Sequence, residues 1–96
     1  MENQHKKIKG YRDLSQQEIN LMNKIKQHAE DTGKLLDEVF ALRFDQDNDF
    51  ITDNPNPDNI TYDQVQESFR VLSIAKENLQ QGYMWAVRSV ALPETF

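Results

Sequence analysis

The stretch Leu79-Gln80-Gln81-Gly82-Tyr83-Met84-Trp85-Ala86-Val87-Arg88-Ser89-Val90-Ala91 decides how this chain folds. It closes a longer run that begins at Val65, and it holds the single Trp. A helix turns by about 100° per residue. On that wheel Val65, Phe69, Leu72, Ala75, Leu79, Tyr83, Ala86, Val87 and Val90 share one face, while Val71, Ile74, Gly82, Trp85 and Ser89 fall on an adjoining one. Together the faces span roughly 200°, where a helix packed on one side needs a stripe of only about 100°. One partner helix covers the first face. The second calls for something more, and further copies of the chain are the simplest candidate.

Both helix starts are written in the same chemistry. Thr61-Tyr62-Asp63-Gln64 is a capping box, in which the Thr and Gln side chains each bond the other's free backbone amide. Ile60 and Val65 flank it as a hydrophobic staple. Ser15-Gln16-Gln17-Glu18 repeats the box, with Leu14 and Ile19 as the staple. From there Leu21, Met22, Ile25, Ala29, Thr32, Leu36, Val39 and Phe40 fall within one apolar face. The pattern predicts a first helix over 15–43 and a second over 61–91, stopping before Pro93. Gly33 interrupts the first helix at a cost of about 1 kcal/mol relative to Ala, so a kink or a close backbone approach is expected there.

Residues 44–60 read as an acidic loop with four Asn, five Asp and an Asn-Pro-Asn-Pro run, which is turn chemistry. Asp45, Asp47 and Asp49 alternate as in a calcium loop. However, Phe50 stands where the turn glycine is required and Asn56 where the bidentate Glu is required, so no metal site is expected. Residues 1–14 form a basic arm with His5, Lys6, Lys7, Lys9 and Arg12, whose sizeable apolar groups before Leu14 are Ile8 and Tyr11. The expected fold is all-α: a single domain over 1–96, an antiparallel two-helix hairpin with a short N-terminal arm, assembling into a helical homo-oligomer.

Size supports assembly. A chain of 96 residues buries only about 60–65% of the surface its unfolded form exposes. It has no Cys to staple it. There is no run long and apolar enough to span a bilayer, and the segment Met1-Glu2-Asn3-Gln4-His5-Lys6-Lys7 lacks the apolar core of a signal peptide, so a cytoplasmic protein is expected. The net charge of −5 is uneven: residues 1–34 carry +2, residues 35–68 carry −8 and residues 69–96 carry +1. An acidic chain is a poor general binder of DNA, whose affinity comes from neutralised phosphates. The local basic groups suit a small anion better.

Catalytic chemistry is thin. The two His, His5 and His28, lack a second metal ligand at helical spacing; Ser15 and Ser73 lack a His partner; and there is no glycine-rich phosphate loop. The chain is therefore expected to bind rather than catalyse, with no cofactor. Tyr11, set among Lys9, Gly10 and Arg12, either stacks on a base while the cations meet phosphate or simply anchors the arm to the hairpin. Lys26 lies on the shoulder of the first apolar face, as a ligand contact or a solvated lysine. Arg70 and Arg88 project from one side of the second helix.

Lys9-Gly10-Tyr11-Arg12-Asp13-Leu14-Ser15 followed by Glu18-Ile19-Asn20-Leu21-Met22-Asn23-Lys24-Ile25-Lys26 resembles the start of the phage anti-CBASS cyclic-oligonucleotide sponge family. Arg70-Val71-Leu72-Ser73-Ile74-Ala75-Lys76 and the run from Leu79 to Pro93 resemble that family's C-terminal helix, and a related hairpin occurs in phage anti-Thoeris sponges. The resemblance implies a helical hairpin that assembles as a homohexamer. It implies binding of cyclic dinucleotides such as cyclic GMP-AMP, and in many members cyclic trinucleotides, without cleavage. Sequestration would keep the bacterial defence effector inactive. By motif position it puts Tyr11 and Lys26 at the dinucleotide site and Arg70, with Arg88 and Ser89, at a trinucleotide site. Residues 44–60 lie outside it. Two other readings stand beside this one: a helical nucleic-acid-binding module using the basic arm, and a purely structural assembly protein.

Overall fold

The computed structural model describes residues 13–55 and 58–92. They form two helices packed as a hairpin, α1 (Gln16–Ile51) and α2 (Tyr62–Ala91), with no strand among the described residues. Both capping boxes form as their sequences dictate. The Ser15 amide donates to Glu18 Oε1 at 2.9 Å and the Glu18 amide to Ser15 Oγ at 3.1 Å. The Thr61 amide donates to Gln64 Oε1 at 2.9 Å and the Gln64 amide to Thr61 Oγ1 at 3.1 Å. Each box satisfies two amides that the first turn leaves without helical partners.

α2 keeps the bounds its sequence predicts, whereas α1 runs eight residues past the expected end at Arg43. The segment Phe44–Ile51 is helical, with polar side chains bonded to α2 and to the connection between the helices instead of turning the backbone. Gln66 Nε2 donates to Asp47 Oδ1 at 2.6 Å, and Gln46 Nε2 donates to Asp58 Oδ2 at 2.8 Å. The helix stops at Asp53, which adopts a left-handed φ of 57°. The Asn54 amide then donates to the Asp49 carbonyl at 2.8 Å and the Asp53 amide to the Phe50 carbonyl at 3.4 Å, the bond pair of a Schellman cap. Asp takes the place that Gly usually holds, as it tolerates this conformation better than most residues. α2 ends on Leu92, with φ 42° and its amide on the Arg88 carbonyl at 2.8 Å.

Two compact units divide the hairpin: one holds the described residues of Met1–Glu30 and Gln80–Phe96, the other Asp31–Leu79. The second, the loop-end unit, contains the core. Val65, the staple residue of α2, is fully buried, and Gln46 is 3% exposed. Phe40 packs on Phe69 with ring centroids 5.4 Å apart and on Phe44 at 6.2 Å, while Phe50 meets Tyr62 edge-on at 5.8 Å. Arg43 spans the helices, with Nε donating to Ser68 Oγ at 2.9 Å and Nη1 donating to Gln46 Oε1 at 2.8 Å. Gln46 thus uses both ends of its amide, which is what a buried polar group requires. Gly33 has open space where a Cβ would project, so among the described residues no backbone outside its own helix approaches it closely.

Candidate functional site

The open-end unit carries a groove between α1 and α2, with a volume of about 480 Å³. Met22, Ile25, Lys26 and Ala29 line it from α1, at the i, i+3, i+4, i+7 spacing that puts them on one helix face. Tyr83, Met84, Val87, Arg88 and Ala91 line it from α2. The small side chains Ala29 and Ala91 leave the space, and the methionines supply adaptable apolar walls. The volume falls within the range of small-molecule sites, which are mostly apolar with a few placed polar groups.

The charge of this groove is opposite to that of the chain. Among the described residues its lining includes two cations, Lys26 and Arg88, and no Asp or Glu, in a protein of net charge −5. A smaller cleft in the loop-end unit, about 260 Å³, sets Lys76 against Asp37 and so offers an anion no such bias. Tyr83 stands half-buried in the groove wall, with its hydroxyl 3.4 Å from His28 Nδ1. Arg88 extends along the exposed Trp85, its guanidinium carbon 6.0 Å from the ring centroid, within reach of the attraction between a cation and an aromatic face. Gln81, Met84, Trp85 and Arg88 border a second hollow on this side of α2.

Of the residues singled out in the sequence, Lys26 and Arg88 come together. The helical wheel turns Arg88 away from the main apolar face of α2, yet its long side chain reaches the groove rim. Tyr11 lies outside the described residues. Arg70 belongs to the loop-end unit, where its guanidinium hydrogen-bonds Glu67. Those bonds hold the Glu67 carboxyl below its ordinary pKa and raise that of Arg70. Ser89 is exposed, and its hydroxyl donates to the Ala86 carbonyl at 2.6 Å. Sequence reasoning assigned Tyr83 to the packed face and passed over its hydroxyl. A half-buried phenol needs a polar partner, and His28 on the edge of α1 was the available one.

The second face of α2 is bare within one chain. Val71, Ile74 and Trp85 are all exposed, Trp85 at 68%, and Gly82 has nothing within 4 Å of where a Cβ would stand. No helix of the described residues is long and apolar enough to cross a membrane.

The family model for the Acb2/Tad1 hairpin domain matches residues 3–91. The chain is also 32% identical over 106 residues to anti-CBASS protein 2 of Pseudomonas phage JBD67, an alignment that covers 98% of each protein.

Proposed function

Because this chain belongs to the Acb2/Tad1 hairpin family, we propose that it is a phage anti-CBASS sponge, which binds cyclic oligonucleotide second messengers in the host cytoplasm and withholds them from the defence effector. The supporting observation is the open-end groove, an apolar slot whose described lining carries cationic and no acidic side chains in an acidic protein. Cyclic dinucleotides such as cyclic GMP-AMP fit that chemistry, having flat bases for apolar and aromatic walls and two phosphodiesters for the cations.

In this reading Lys26 meets a phosphate and Tyr11 stacks on a base. The ligand has two near-equivalent halves, so a site on a two-fold axis meets both with the same residues from two chains. Homo-oligomerisation, with six copies, covers the bare face of α2 and completes the pockets. Arg70 serves a separate cyclic trinucleotide site in the loop-end unit. Among the described residues the groove lining holds no Ser, Thr or Cys, and in this reading the ligand leaves as it entered.

Native mass spectrometry with cyclic GMP-AMP and cyclic tri-adenylate tests the proposal. The expected result is an oligomer carrying ligand that is released intact on denaturation. Linearised ligand would make the protein an enzyme, and an oligomer that takes up no cyclic nucleotide would make it a structural assembly protein. Tyr11→Ala and Lys26→Ala should each weaken cyclic GMP-AMP binding by about 10–100-fold, the loss of one stacked base or one charged contact. Unchanged affinity in either variant would remove that residue from the site.

A further inference from the structure

We propose that Arg88 is the second cation of the Lys26 groove and binds the same phosphate as Lys26, rather than serving a trinucleotide site. The inference rests on the cyclic-nucleotide reading and adds a residue and a geometry to it.

Three observations converge on Arg88. First, it lines the same groove as Lys26, so the two helices each contribute one cation to one space. Second, among the described residues no hydrogen bond or ion pair ties the guanidinium to a carboxylate, whereas Arg70 on the same helix is engaged by Glu67. Third, the Trp85 ring lies 6.0 Å from it, a contact that steadies a long flexible side chain without using its N–H donors. A phosphodiester presents two non-bridging oxygens and one negative charge. The planar fork of Arg matches that pair of oxygens, and Lys adds a point charge from the opposite wall. The same lining includes Ile25, Met84 and Val87, whose apolar side chains suit the face of a base.

The test is titration of the intact protein with cyclic GMP-AMP at several salt concentrations. Arg88→Gln should weaken binding about 10–100-fold and flatten the dependence of log Kd on log salt, because one phosphate-facing cation is gone. Arg88→Lys should fall between the two, keeping the charge and losing the fork. Lys24→Gln makes the same charge change on α1 outside the groove lining and should bind as wild type does. If the wild type binds cyclic GMP-AMP and Arg88→Gln matches it in affinity and salt slope, Arg88 is outside the site while the sponge reading stands. Equal weakening by Lys24→Gln would reduce the effect to overall charge and overturn the assignment. Should Arg88→Gln fail to assemble by size-exclusion chromatography, Arg88→Lys decides: wild-type affinity and assembly in that variant would also overturn the role of the fork. A wild type that binds no cyclic nucleotide would sink the sponge reading itself.

Discussion

The two units of the hairpin use similar residues to opposite ends. The loop-end unit holds both buried side chains of the described residues, Val65 and Gln46, its packed rings and side-chain hydrogen bonds from α1 to α2 and to the connection. The open-end unit buries no residue to that degree among those described. It leaves Met84 71% exposed and Trp85 68% exposed, and opens a groove where the loop end has packing. One unit spends its apolar and polar groups on itself; the other keeps them available. Burial is thus concentrated in one unit and exposed apolar surface in the other, a division that suits a small chain whose core cannot use all of its apolar groups.

The strongest way to break this comparison is Trp85→Asp. If the exposed α2 face is an interface, a charge there should abolish assembly and cyclic GMP-AMP binding together, measured by size-exclusion chromatography and calorimetry, while circular dichroism stays helical. A monomeric variant that bound at full affinity would show that the groove is complete within one chain. Val65→Ala acts on the other unit. It removes buried methyl groups and should destabilise the fold by about 2 kcal/mol, read from the urea midpoint at fixed protein concentration, with the affinity of the folded protein unchanged. Ser15→Ala and Thr61→Ala sharpen the contrast, since one box serves each unit. Each should cost about 1 kcal/mol in the same assay. The smallest effect belongs to Glu67. Its pKa is depressed by hydrogen bonds from Arg70, so whatever the pair contributes is present above the ordinary glutamate range and lost as pH falls through the lowered value. The pair is exposed, so the thermal midpoint should barely move, and an NMR titration should place Glu67 below the other exposed glutamates.

Much of this was legible in the residues because the relevant physics is local. Both capping boxes, their staples and the bounds of α2 follow from a few adjacent side chains. The bare second face follows from helical periodicity alone. The end of α1 did not, for a tertiary reason. Asp45, Asp47, Asn48 and Asp49 have turn chemistry by type, but Asp47 finds a partner on α2 and Gln46 one in the connection, and these tertiary bonds override local preference. The stop at Asp53 carries no glycine to announce it. At the site, Lys26 was legible as a cation on the shoulder of an apolar face. That Arg88 shares its groove depends on how far a side chain reaches across two helices, which a wheel drawn for one helix leaves out.

The Arg43–Ser68 and Asp47–Gln66 pairs have a consequence for registry. An apolar stripe is nearly indifferent to sliding by one helical turn, about 5.4 Å, since one hydrophobe then replaces another. The polar pairs of the loop-end unit are not indifferent. A shift of α2 by one turn would part Ser68 from Arg43 and Gln66 from Asp47, leaving half-buried donors and acceptors without partners at about 1–3 kcal/mol each. The loop end therefore admits one alignment of its helices, as a single buried Asn does in a coiled coil, and amides and carboxylates select it.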